Sequence, residues 1–340
     1  MGKRIEWIDA VKGFAICGTV VSHTVPFGSF IRNFLFSFHM PLFFLLSGFT
    51  TNPPSDRKTF YKKIKKDAKS LLIPVIVFSL INFIYYFIVS NDFSVSSFFK
   101  QFGDYLLSLF WSSGVPVHGA PHLGMLWFLV SIFTARTIFN ISSIVFKSDK
   151  YKIVPLSLGM IGVLLGSKQY YLPFNFDVSL VALLFISLGY LAKEYFMIIQ
   201  KWFILIFIPS LFLWVQTLID GKYIELATRN YGNSMIVFIE AICGTIVICS
   251  FIKVLCELKP FRKILTFFGL YSLVVLCAHS LDGMTYKIWN QDSIILSCAI
   301  RLSIVLAASS IYIFIKSNCK KEKINNDLIR LLAIVKLSNL

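Results

Sequence analysis

Ten stretches of this chain, at about 8–27, 30–50, 71–89, 122–141, 152–167, 177–192, 202–219, 234–256, 264–281 and 292–315, are built almost wholly from apolar residues. A helix rises about 1.5 Å per residue, so a run of roughly 18 or more apolar residues crosses the hydrocarbon layer of a bilayer. The expected fold is therefore an all-α polytopic membrane protein of about ten transmembrane helices. Of the 340 residues, 56% are hydrophobic and 35 are Phe, a surplus that no soluble domain of this size needs. The first run reads as a retained span rather than a cleaved leader, because Asp9 and Lys12 lie inside it and a second run follows at once.

A net charge of +16 raises the question of nucleic acid, and the distribution of the charge answers it. With the amino terminus inside and Lys152 counted on its loop, 23 Lys and Arg fall on the inner side, 6 on the outer side and four within spans. That bias is the membrane orientation rule at work, so both termini are expected in the cytoplasm and nucleic-acid binding is not expected. The basic run from Arg57 to Lys69 then lies against anionic lipid. Residues 1–316 read as one transmembrane domain and 317–340 as a cytoplasmic tail, in which 329–335 has an amphipathic helical pattern. Seven cysteines, Cys17, Cys243, Cys249, Cys256, Cys277, Cys298 and Cys319, lie in spans or the tail at no metal-ligand spacing, so neither a metal site nor a disulfide is expected. The longest outer loop, 90–121, is the one expected to form a lid, with 98–111 as an interfacial amphipathic helix.

Ionisable groups inside such spans point to function. At about 100° per residue, the eleven-residue step from Lys12 to His23 ends 20° past three turns, and the step from Asp9 to His23 ends 40° short of four. The three side chains share one helix face, with Lys12 and His23 roughly 16 Å apart along the axis. All five histidines (His23, His39, His118, His122 and His279) fall in the outer half of the bilayer or beyond it, where imidazole can act as a base near neutral pH. Lys12 and Arg136 fall in the inner half, where cations can meet phosphates, snorkelling being the alternative for Arg136. Glu240 and Arg301 lie at similar depth and are expected to pair, since neither stays charged alone in hydrocarbon.

Several of these residues sit in segments that resemble a known family. The run Ile8-Asp9-Ala10-Val11-Lys12-Gly13 followed by His23 resembles the basic-residue-then-histidine motif of the membrane acyltransferase 3 family. The stretch from Ser37 to Phe49 is similar to the fucose 4-O-acetylase-like branch of that family. Leu126-Trp127-Phe128-Leu129, Leu188-Gly189-Tyr190 and Gly269 to His279 resemble its later landmarks. Lys12 stands where the family most commonly has Arg.

The resemblance implies transfer of an acyl group, usually acetyl, from cytoplasmic acyl-CoA to a hydroxyl of a sugar or cell-surface glycan, which can be lipid-linked, at a bacterial cytoplasmic membrane. His23 is then a general base or the acyl acceptor itself, with His39 and His279 as further catalytic candidates. Lys12, oriented by Asp9 and joined by Arg136, holds the donor's phosphates. Trp127, Glu240 and Arg301 face the acceptor, Trp127 offering a ring for sugar to stack on. Ser47-Gly48 permits close helix packing. The rival reading is a secondary transporter or flippase of lipid-linked glycans, which usually shows repeat-related halves that this sequence lacks. A non-catalytic scaffold for glycan assembly is the third.

Overall fold

Helices form where the apolar runs lie, and the polar, Pro- and Gly-containing stretches between them set their ends. The computed structural model describes residues 5–146, 149–232 and 235–337. In chain order the helices are α1 (Glu6–Ser22), α2 (Phe30–Phe36), α3 (His39–Phe49), α4 (Arg57–Val89), α5 (Val95–Trp111), α6 (Trp127–Val145), α7 (Lys150–Ser167) and α8 (Phe176–Glu194). They continue as α9 (Phe196–Lys201), α10 (Phe203–Ile219), α11 (Ile236–Leu255), α12 (Lys259–Leu270), α13 (Ser272–His279), α14 (Tyr286–Trp289) and α15 (Ile294–Leu337). No strand occurs among the described residues, which hold only two isolated bridges, Val117 with Ala120 and Glu225 with Asn230.

Among the described residues, six helical stretches are long and apolar enough to cross a membrane, or seven if the α12–α13 pair counts as one span. Each of the ten expected segments coincides with a helix or a helix pair, but α1 and α10, at 17 residues each, are shorter than that measure requires, and α7, at 18, is not among the candidate spans. The helical backbone of α15 continues without a break through 329–335. The side chains of those residues and of Cys319 lie outside the described ones, as does Asn233.

Side-chain caps start the helices that leave polar loops. The Oγ of Ser29 accepts from the backbone N–H of Arg32 at α2, and the carboxylate of Asp56 accepts from that of Thr59 at α4. Two of the runs are not single helices. The second breaks at Ser37-Phe38, and α3 restarts with His39, so Pro41 falls in a first turn where a missing N–H costs nothing. This places His39 at a helix start within the candidate span Phe30–Phe49. There its Nδ1 hydrogen-bonds the carbonyl of Leu35 at 2.8 Å. The ninth run bends by 67° between α12 and α13.

Close helix approach depends on glycine at two crossings. A Cβ on Gly48 of α3 would strike the carbonyl of Ile186 on α8, and one on Gly189 of α8 would strike that of Leu45 on α3. Gly13 of α1 and Gly269 of α12 meet reciprocally in the same way, against Leu265 and Asp9. Without a hydrophobic drive between helices in lipid, such contacts supply much of the association. The central helix is α8, buried on every side from Asp177 to Ser187, and it packs on α3, α6 and α7. Gly189→Val is expected to push α3 from α8 and cost at least about 1–3 kcal/mol, read as a lower unfolding midpoint in detergent. An unchanged midpoint would contradict the packing.

Candidate functional site

Three helices carry most of the polar side chains that line one cavity of about 220 Å³, and Ser272 of α13 adds another. α1 contributes Lys12, Thr19 and His23, α3 contributes His39, Ser47 and Thr50, and α6 contributes Trp127 and Arg136. Because α1 runs opposite to α3 and α6, these sets sort by height into a basic end with Lys12, Thr50 and Arg136, and a histidine end with His23, His39 and Trp127. Between the ends the walls are largely apolar, including Ile16, Met40, Phe43, Leu129 and Ile132. Of the three residues aligned on one helix face in the sequence, Lys12 and His23 line this wall and Asp9 does not. The cavity is smaller than the ~300–1,000 Å³ of pockets for drug-sized ligands.

At the histidine end the ring of His23 lies 5.5 Å from that of His279 and 5.6 Å from that of Phe36, with His39 4.8 Å beyond Phe36. His279 does not line the cavity. Its Nδ1 meets Asp282 Oδ2 at 2.5 Å, and its Nε2 is buried with no hydrogen-bond partner among the described residues. Arg301 donates from Nε to Asp282 Oδ2 at 2.7 Å and from a second nitrogen to Oδ1 at 3.1 Å. Its remaining nitrogen donates to the backbone carbonyl of His23 at 2.6 Å and to Thr24 Oγ1 at 3.2 Å.

At the basic end Arg136 pairs with Asp67 of α4 at 3.3 Å, while its Nε is buried without a partner among the described residues. Nearby, Lys63 donates to Thr51 Oγ1, to the carbonyl of Asn52 and to Asn140 Oδ1, and Lys193 donates to the carbonyl of Thr51. Four cations therefore gather where α3 ends. One turn from Thr50, toward the basic end, the hydroxyl oxygen of Ser47 is buried, faces no protein partner among the described residues and belongs to a cavity-lining side chain.

The roof over the histidine end is the 220–232 loop, through Ile224, Glu225, Leu226 and Ala227. This corrects the expectation that 90–121 forms the lid, since no residue of that loop lines the cavity. α5 carries many exposed Phe and Leu side chains instead and packs on α4, which explains the miss: length selected the wrong loop. Two ion pairs pin the roof. Arg32, wedged over the rings of Phe27 and Phe36, meets Glu225 at 3.6 Å. Arg229, at a left-handed φ of 57°, donates from Nε to Asp177 at 2.9 Å and onward to Asn175 and Ser113, wholly buried. Burial pushes the Glu225 carboxyl above its ordinary range, against the opposing pull of Arg32.

Of the residues singled out in the sequence, Lys12, His23, His39, Trp127 and Arg136 come together on the cavity wall, with His279 directly behind His23. Asp9 is buried one turn before Lys12 and off the wall. The expected pair of Glu240 and Arg301 does not form, because the guanidinium of Arg301 is occupied by Asp282. Equal depth was a poor guide to neighbours: α11 packs on α10, α1 and α3, whereas α15 packs on α13, α14 and α1. Glu240 remains buried with Oε2 unpartnered among the described residues, and neither it nor Arg301 lines the cavity. His118 and His122 are exposed, the former against Trp111. Sequence reading missed Glu225, Asp282, Lys63 and Asp67. Only the last two carried a signal, lying one turn apart on a basic helix face.

The family model described as an acyltransferase domain, acyltransferase 3, matches residues 5–315. No curated protein and no solved structure matches the chain.

Arg229→Met would leave the buried carboxylate of Asp177 without its cation, and is expected to cost about 3–5 kcal/mol. The double variant with Asp177→Asn should regain part of that loss in the unfolding midpoint. Single variants as stable as the parent would show that the pair does not hold the roof.

Proposed function

We propose, for a chain that belongs to the acyltransferase 3 family and is an acyltransferase enzyme of the membrane, that it moves an acetyl or other acyl group from acyl-CoA to a hydroxyl of a sugar or cell-surface glycan. The donor enters from the cytoplasm at the basic end, and the acceptor, which can be lipid-linked, reaches the histidine end. Ten membrane crossings with both termini inside, in a bacterial cytoplasmic membrane, fit this arrangement and the bias of basic residues. The motif from Ser37 to Phe49 favours the fucose 4-O-acetylase-like branch.

One observation carries the reading: Lys12 and Arg136 stand at one end of a narrow cavity and His23 at the other. The Lys12-to-His23 step of roughly 16 Å is of the order of a pantetheine arm. Lys12 and Arg136 meet the nucleotide phosphates, and the orphaned hydroxyl of Ser47, one turn from Thr50, offers a hydrogen bond to the phosphate-proximal part of the arm. The apolar walls exclude water from the thioester. As general base, His23 takes the acceptor's hydroxyl proton while that oxygen bonds to the thioester carbonyl carbon. The carbon–sulfur bond breaks, and the departing thiolate takes up the proton. If His23 carries the acyl group itself, its nitrogen attacks the same carbon and the carbon–sulfur bond breaks to release the thiolate; the acceptor oxygen then attacks that carbon, the carbon–nitrogen bond breaks, and the acceptor's proton passes to the thiolate. His39, Trp127 and Glu225 surround the acceptor, Trp127 by stacking.

In membranes containing the full chain, His23→Ala is expected to lower acetyl transfer by about 10²–10⁴-fold. Lys12→Met should chiefly raise KM for acetyl-CoA. Mass spectrometry of surface glycans from cells carrying each variant reads the outcome. Acetylation that persists in His23→Ala while glycan export stops would replace this reading with a transporter.

A further inference from the structure

Arg301, Asp282, His279 and His23 form a closed ring of contacts in the interior. Arg301 grips both oxygens of Asp282 and, with its remaining nitrogen, the carbonyl of His23, while its plane lies 4.2 Å over the ring of Trp289. Trp289 in turn donates its indole N–H to the carbonyl of Asp282 at 2.9 Å. A carboxylate held by a guanidinium fork only accepts, so the proton of the 2.5 Å contact sits on Nδ1 of His279. That leaves Nε2 of His279 as a lone pair, buried and unpartnered among the described residues, in a ring 5.5 Å from His23.

A histidine kept only for packing would have both nitrogens satisfied, because an orphaned buried acceptor costs about 1–3 kcal/mol. Here one side is fixed by Asp282, itself held by Arg301, and the other has no partner among the described residues, in a ring that lies beside a second imidazole. Two imidazoles joined by a hydrogen bond of about 2.9 Å have ring centres about 5 Å apart, so a closure of a few tenths of an ångström completes the bond.

We propose that Asp282 is a positioning residue for the acyl transfer: it holds His279 in the Nδ1–H form so that Nε2 accepts a hydrogen bond from His23. This rests on the reading of His23 as the reacting imidazole. With one nitrogen donating to His279, the other nitrogen of His23 keeps its lone pair for the cavity. When His23 takes the acceptor's proton, the cation is shared with His279 and balanced by Asp282. The proton then returns through the cavity-facing nitrogen to the departing thiolate. Arg301 fixes the depth of the whole set by holding the last turn of α1. Other groups facing His23 are His39 of α3, Arg32 of α2 and Glu225 of the roof. Arg32 donates to the carbonyl of Ser22, and Glu225 balances its charge.

The test compares the full-length parent with Asp282→Asn in membranes, using acetyl-CoA and its glycan acceptor. The amide preserves size but can offer an N–H to Nδ1 and so reverse the tautomer, a change that costs about 10⁴-fold in kcat in the serine-protease triad. The expected result is a kcat lower by about 10²–10⁴-fold, KM for acetyl-CoA within about twofold, and an acidic limb of the kcat profile moved to lower pH. The limb moves down because a less supported His23 cation loses its proton more readily. A merely structural loss would reduce the amount of active enzyme and leave the limb in place. As a reading independent of folding of the variant, ¹⁵N spectra of histidine-labelled parent protein, assigned with His279→Gln, should show His279 protonated at Nδ1. An Nε2–H form, or Asp282→Asn with parental kcat and pH profile, overturns the positioning role alone. A parent protein that transfers no acyl group overturns the functional reading and this role with it.

Discussion

Burying a charge away from water is the constraint on which this structure depends. A carboxylate or guanidinium in such surroundings costs several kcal/mol unless its hydrogen-bonding groups find partners. The interior meets that requirement with short chains of named residues. Asp177 is held by Arg229, Asp282 by Arg301 and His279, and Asp67 by Arg136. Each chain ties elements distant in sequence: Arg229 joins the roof to the start of α8, and Arg301 joins α15 to the last turn of α1. Of the buried polar atoms left without partners among the described residues, Ser47 Oγ and Arg136 Nε belong to cavity-lining side chains and His279 Nε2 lies behind His23, whereas others, Glu240 Oε2 among them, lie off the cavity wall.

What could be read from the sequence was whatever depends on regular helix geometry. Lys12 and His23 share a wall because a step of eleven residues is nearly three whole turns, and no tertiary information was needed for that. The glycine of Ser47-Gly48 was legible for a similar reason, since only a residue without Cβ permits the approach to Ile186. The failures share a cause. Pairing Glu240 with Arg301 used depth alone, and depth does not say which helices are neighbours. Asp282 went unnoticed because it sits on the 3-10 turn after α13, where no periodicity marks it, and it faces His279 through local chain geometry. The roof was assigned to the longest loop, whereas the shorter 220–232 loop is fixed by ion pairs that only the folded chain brings together.

The breaks in the helices have a common consequence. An unbroken second run would carry His39 through a regular turn, its N–H groups consumed by the helix. The break at Phe38 instead puts His39 at the head of α3, with Nδ1 bonded to the carbonyl of Leu35, and turns its ring toward the cavity. The 67° bend between α12 and α13 likewise frees α13 from the path of α12, so that Ser272, Leu273 and Leu276 complete the cavity wall while His279 arrives beside His23. Interrupted helices at membrane depth are tolerated where the exposed backbone is enclosed by protein, which is the situation of both breaks.

The cross-section of the cavity bears on how donor and acceptor meet in the proposed reaction. A cavity of about 220 Å³ lined by Ile16, Phe43 and Leu129 is too small to enclose a whole nucleotide together with a sugar. In the proposed reaction the nucleotide therefore stays at the basic end, where Lys12, Lys63, Arg136 and Lys193 gather, and the acceptor beneath the roof held by Arg32 and Arg229. Neither substrate needs to cross. Only the acyl carbon has to reach His23, and the fixed height between Lys12 and His23 sets the length of arm that can deliver it. A rigid α1 is then part of the chemistry: the crossing of Gly13 with Gly269 and the grip of Arg301 on the carbonyl of His23 keep that height constant from both ends of the helix.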